Sequence, residues 1–192
     1  MTEDLRARRT RAEIKTHFID LLLEKNFNNI TVKDITQKAQ IGRGTFYLHY
    51  KDKYDLLQTL IDEAVTAITN KFQPKHLFES GKVNPAYART FVVEAYGYFQ
   101  SHERLYRALL FNEGTPSFRY RLQQQMISKF RQELMPILQQ QSNNQVAFEI
   151  MPQFASSGMI GLISWWFEND FCVPKEAIAD NVVRLLIQIA YL

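Results

Sequence analysis

Apolar residues recur at helical spacing along most of the chain. Ile14, Phe18, Leu21 and Leu22 share one face of a first helix over about residues 6–25. Thr31 followed three residues later by Asp34 has the spacing of a capping box. Val32, Ile35 and Ala39 form an apolar stripe behind it, which predicts a short second helix ending near residue 38. Residues 40–42 form a tight connection in which Gly42 is free to take positive φ, and residues 43–50 can form a third short helix. Asp52 is placed to cap a longer fourth helix, whose apolar face of Leu56, Leu57, Leu60, Ile61, Ala64, Val65 and Ile68 runs to about residue 72. Pro74 stops it.

Residues 73–84 mix Pro, Gly, Ser and both signs of charge, which reads as a linker. Further helices are expected over 85–101, 103–112, 116–141, 146–169 and 174–191, with Pro85, Pro116 and Pro174 at first-turn positions. A polar run, QQQSNNQ, marks a loop over 139–145. The pattern divides the chain into a head of three short helices, residues 1–54, and a larger helical body, residues 55–192. The fold class is all-α.

Composition agrees with this reading. Only 7 Gly and 6 Pro occur in 192 residues, and no Asn-Gly or Asp-Gly hairpin turn is present, so an all-β chain is disfavoured. The lone Cys172 excludes an internal disulfide framework and a multi-cysteine zinc site, which points to the cytoplasm. The N-terminus has no apolar stretch of the secretory kind, and the longest apolar run, 154–167, is too short to span a bilayer, so no membrane partner is expected.

Charge changes the picture more than its sum of +3 suggests. Residues 1–55 hold 11 Lys+Arg against 8 Asp+Glu, whereas the remaining 137 residues hold 12 of each. The excess positive charge therefore lies in the head, led by Arg6, Arg8, Arg9 and Arg11, as suits a polyanion-binding end.

Residues 31–57, TVKDITQKAQIGRGTFYLHYKDKYDLL, resemble the N-terminal helix-turn-helix of TetR/AcrR-type transcriptional regulators. The resemblance is carried by Thr31-Val32, by Ile35 and Ala39, by Gly44-Thr45-Phe46-Tyr47, and by Tyr50-Lys51-Asp52-Lys53 with Leu56-Leu57. Ala12, Ile14, Phe18 and Phe27 fall where the family places core residues. Asn26 stands where the family commonly has Gly before Phe27, and Gln40 stands where Gly commonly follows Ala39.

The resemblance implies that Tyr47, His49 and Lys53 contact phosphates and that Arg43 and Gly44 face base edges of a double-stranded DNA operator. Thr31 and Thr45 join them as hydroxyls near helix N-termini. An arginine can meet guanine O6 and N7 bidentately, which makes Arg43 the expected base reader, while Gly44 permits close backbone approach. Phe46 reads as core, and Tyr50 reads equally as a core aromatic or as a polar contact.

In the body, aromatic and Met residues at helical spacing serve packing, and the family resemblance adds a small-molecule effector site. Its expected wall is Phe91, Tyr98, Tyr106, Met126, Phe130, Met159 and Trp165. The segments 146–169 and 178–189 have more apolar faces than one monomer buries, so a homodimer is expected, with these helices forming a four-helix interface as the family implies. No phosphate loop, nucleophile elbow or His-Glu-x-x-His pair occurs, and the four histidines lack metal-ligand spacing; neither catalytic nor metal residues nor a cofactor is expected. The reading is a homodimeric repressor released from a palindromic operator by a small molecule. Its rival is an activator or adaptor controlled by a protein partner.

Overall fold

The computed structural model describes residues 2–79, 82–112, 114, 117–134, 136 and 145–190. Nearly all of them are helical, in two compact units. One comprises Met1–Ala64 with Glu103–Phe118, the other Val65–His102 with Arg119–Leu192.

In the first unit α1 (Thr2–Glu24) leads through a 3-10 turn (Phe27–Asn29) to α2 (Val32–Lys38), α3 (Arg43–Tyr47) and the first part of α4 (Lys53–Lys71). Two later helices complete the numbering up to this unit's last element, α5 (Pro85–Ser101) in the second unit and α6 (Glu103–Phe111) in the first. Alpha-helical spacing places Ile14, Phe18, Leu21 and Leu22 on the buried face of α1, where they meet Phe27, Ile30, Ile35, Phe46, Tyr50, Leu56 and Ile61 in one core. Phe46 is fully buried; its replacement by Ala would remove about 3–5 kcal/mol.

The expected cap of α2 is present. Thr31 Oγ1 accepts from the Asp34 amide at 3.2 Å, while Asp34 Oδ2 accepts from the Thr31 amide at 2.8 Å. The Lys25 ammonium at 2.9 Å, helped by the Thr31 backbone bond, holds the Asp34 carboxyl down to about 2. Asp52 caps α4 as expected, its Oδ1 accepting from the amides of Tyr54 and Asp55 at 2.8 Å.

The turn between α2 and α3 departs from expectation. Gly42 has φ −72, and the left-handed residue is Gln40, at φ 54. Two bonds define the ending: Ile41 N donates to Thr36 O at 3.0 Å and Gln40 N to Gln37 O at 3.2 Å, which is the Schellman arrangement. Gln40 thus occupies the position where a Cβ is most penalised.

In the second unit, α7 (Ser117–Lys129) widens into a π-helical turn (Phe130–Leu134), followed by α8 (Gln145–Glu168) and α9 (Lys175–Ala190). Alpha9 packs along α5, and Arg89 Nε meets Asp180 Oδ1 at 2.7 Å between them. Trp166, buried against Tyr96, Phe167 and Phe171, donates Nε1 to Val173 O at 2.7 Å and so ties α8 to the turn before α9. Pro152 lies within α8, where it removes one backbone donor.

The expected linker over 73–84 is not one. Phe72 and Pro74 are buried, Pro74–Leu77 is a 3-10 turn, and Phe78–Glu79 (β1) pairs antiparallel with Lys82–Val83 (β2), Phe78 opposite Val83. Short-range composition hid this, because the apolar residues that anchor the segment meet partners distant in sequence. The end of the helix expected over 116–141 and the loop expected at 139–145 lie largely outside the described residues, as does Tyr191. Among the described residues no helix is long and apolar enough to cross a membrane.

Relieving the left-handed residue should stabilise the head. Gln40→Gly is expected to raise its stability by about 1 kcal/mol, measured by urea unfolding followed by helical circular dichroism. A lower unfolding midpoint for the variant would contradict the assignment of strain to Gln40.

Candidate nucleic-acid interface

Alpha2, the 39–42 turn and α3 form a helix-turn-helix, and α3 exposes one face. Arg43, Gly44 and Tyr47 are exposed along it, Thr45 is half-buried, and Phe46 and Tyr50 point into the core. A Cβ on Gly44 would meet nothing within 4 Å, so packing inside the chain does not require glycine there. Leu48 was not anticipated: an apolar side chain 82% exposed directly after α3, able to meet a thymine methyl in a major groove. Its signal in the sequence was only the lack of a place for it on the buried stripe.

The remaining expected contacts are placed differently. Thr31 keeps its hydroxyl in the capping box, donating to Asp34 Oδ2 at 2.8 Å, which fixes the start of α2. His49 is half-buried with its Nδ1 enclosed; burial, then the Arg11 charge, pushes its pKa below the usual histidine value. Tyr50 is core, its phenol pushed up to about 12 by burial and by Glu63.

Lys53, expected at a phosphate, is engaged within the chain. Its Nζ donates to three backbone carbonyls, those of Phe27 and Asn28 at 3.1 Å and Ile30 at 2.8 Å, and lies 4.6 Å from the centre of the Phe27 ring. An ammonium has three donors, and here all three are engaged. The same turn is held from α6, where Asn112 Oδ1 accepts from Phe27 N at 3.0 Å and Asn112 Nδ2 donates to Leu22 O and Lys25 O at 2.8 and 3.0 Å.

The second unit contains a cavity of about 380 Å³ walled by α5, α7, α8, α9, the end of α4 and the 74–83 segment. Five of the seven expected wall residues line it: Phe91, Tyr98, Met126, Phe130 and Met159. Tyr106 does not; it is fully buried in the first unit, 6.1 Å from Phe118 between ring centres. Trp165 does not either, since it faces outward from α8. Sequence reasoning missed Met151, Phe154, Leu162, Val182, Leu185 and Leu186, because helical periodicity distinguishes a helix's faces but not a wall from a seam. Among the described residues no group of three His, Cys, Asp or Glu is arranged to hold a metal ion.

Two family models match. That for bacterial regulatory proteins of the tetR family covers residues 19–60, and that for a transcriptional regulator C-terminal region covers residues 88–188, more than half of the chain. The chain belongs to the TetR family. It is similar to a helix-turn-helix-type transcriptional regulator of Bacillus subtilis, YxbF, at 46% identity over 66 residues, which are 34% of this chain and 17% of that relative's length. A TetR transcriptional regulator from Streptococcus agalactiae superposes with TM-score 0.67 at 22% identity, over 97% of this chain and 98% of that one. NalD, the secondary repressor of the MexAB-OprM multidrug efflux pump in Pseudomonas aeruginosa, superposes with TM-score 0.67 at 16% identity, over 94% and 96%. These likenesses are of fold. TetR-family regulators bind DNA and typically act as dimers with small-molecule effectors.

The TetR-family head allows a direct test of the Lys53 assignment. Lys53→Met keeps the stem and removes the donors, taking one hydrogen bond from each of three carbonyls, and should lower stability by about 1–3 kcal/mol. Thermal unfolding measures this. An unchanged melting temperature together with weakened DNA binding would return Lys53 to a phosphate.

Proposed function

We propose that this protein is a homodimeric transcriptional repressor whose two heads occupy a palindromic operator and are released when a small molecule fills the cavity of the body. The single observation that carries the ligand part is that cavity, about 380 Å³ in volume and within the roughly 300–1,000 Å³ of small-molecule sites. It also favours this reading over the protein-partner activator, for which a filled core would serve as well. A repressor of this kind works where the chromosome is, in the cytoplasm.

On this reading residues 1–54 read DNA and residues 55–192 carry the cavity and the dimer contact. Arg43 is the base reader; Gly44, Thr45 and Tyr47 bring α3 against the groove, with Thr31 and His49 supporting it. The dimer contact is supported by an outward face of α8 on which Ile150, Gly161 and Trp165 lie on one side of the helix, all exposed and none lining the cavity. A Cβ on Gly161 would meet nothing within 4 Å, so it leaves room for a second helix to approach. The chain passes between its two compact units within α4, after His102 and after Phe118, so a change in the body can reach the head by three covalent routes.

The DNA contact is tested by selecting bound sequences from random duplexes. Arg43→Ala should relax preference at one base pair in each half-site and weaken the best site by about 1–3 kcal/mol. Gly44→Ala should leave unfolding unchanged or slightly improved yet weaken operator binding, because only DNA lies close enough to feel the methyl group. Full-affinity binding by the Gly44 variant would remove the close approach, and failure to enrich any palindrome would defeat the operator reading.

The dimer contact is tested at residues that do not line the cavity. Ile150→Glu and Trp165→Glu should sediment as folded monomers that bind the operator at least ten-fold more weakly. Stable dimers from both variants would place the interface elsewhere.

A further inference from the structure

The cavity of the second unit has a wall of unusual composition. Of the described residues that line it, none is acidic and one, Lys71, is charged. Lys71 is exposed at the end of α4 with its Nζ 4.9 Å from the centre of the Tyr98 ring, and no carboxylate among the described residues pairs with it. The wall includes three methionines, Met126, Met151 and Met159, whose unbranched side chains adapt to a flexible occupant.

We propose that the cavity binds a single-chain amphiphile of the fatty-acid type, its aliphatic tail enclosed by the apolar wall and its anionic head on Lys71. This rests on the reading of the cavity as the effector site. Three physical points favour it over other small molecules. An apolar wall rewards each buried methylene, and a tail fits it without polar groups to desolvate. A charge is tolerated only where it stays in water or meets an opposite charge, and the exposed end of α4 supplies both. A lipophilic cation would meet Lys71 as a like charge and no acidic residue of the described wall to offset it.

The experiment uses the full chain and a set of probes held below their micelle concentrations: octanoate, decanoate, dodecanoate, dodecanol and dodecyltrimethylammonium, titrated calorimetrically. Affinity for the acids should rise about four-fold for each added methylene. Dodecanoate should bind at least ten-fold more tightly than dodecanol or the ammonium compound. Lys71→Gln should erase that preference while leaving dodecanol binding unchanged, and Ala155→Trp, which puts an indole into the cavity, should abolish binding with helicity retained. Equal affinity for acid, alcohol and cation, a preference that survives Lys71→Gln, or no binding by any probe would overturn the proposal.

Operator affinity measured in parallel separates this inference from the reading beneath it. Binding of dodecanoate as expected with DNA affinity unmoved supports the ligand class and removes ligand-controlled release. Release of the operator by dodecyltrimethylammonium as readily as by dodecanoate keeps release and overturns the ligand class.

Discussion

Residues 26–30 form a turn that bonds only part of its backbone locally, Asn29 N to Asn26 O and Ile30 N to Phe27 O, and the head depends on how the rest is held from elsewhere. The turn ends α1 and begins the approach to α2, and its carbonyls at Phe27, Asn28 and Ile30 converge on one ammonium, that of Lys53, while its Phe27 amide and the last carbonyls of α1 converge on one amide side chain, that of Asn112. Each bond is worth about 1 kcal/mol net, but an enclosed carbonyl left without a donor costs more than that. Gly114 completes the grip. A Cβ there would stand 2.7 Å from Phe27 Cβ and 2.9 Å from Asn26 Oδ1, so only glycine permits the approach. The turn therefore fixes α1, α4 and α6 to one another, and α3 is carried on that frame.

This arrangement explains why the chain from Glu103 to Phe118 belongs with the head although nearly forty residues separate it from Ala64. Tyr106, Leu109, Leu110 and Phe118 bury themselves in the head's core, and Arg104 meets Asp20 on α1. A helix distant in sequence is thus part of the reading unit. Under the proposed regulation it is also the part whose two ends connect directly to the ligand-binding unit, so small shifts of those ends act on the frame that carries α3 rather than on α3 itself.

The sequence made some of this plain and not the rest, and range is the physical difference. The Thr31–Asp34 box, the Asp52 cap and the apolar stripes of α1 and α4 act within a few residues, so spacing alone exposes them. The exposed face of α3 was legible for the same reason, with Arg43, Gly44 and Tyr47 off the buried stripe. Lys53 was not legible in this way. A lysine one residue after a helix cap looks like a phosphate contact until carbonyls more than twenty residues away occupy its donors. Glycine misled in the other direction, since Gly42 looked like the residue of positive φ, whereas the Schellman bonds that force the left-handed conformation fall on Gln40. Tyr106 and Trp165 resembled cavity residues by type, and only the helix faces assembled in three dimensions send one into the head and the other outward.

The central claim is that the clamped turn holds the head together as one unit, and native-state amide hydrogen exchange at Phe27, compared between the natural chain and Asn112→Ala, tests it most directly. The Phe27 amide donates to Asn112 Oδ1 and should exchange at least ten-fold faster once that acceptor is gone, with the amides of Phe46 and Tyr50 in and after α3 losing protection in step. An unchanged Phe27 rate, or loss of protection at Phe27 with Phe46 and Tyr50 unaffected, would contradict the account.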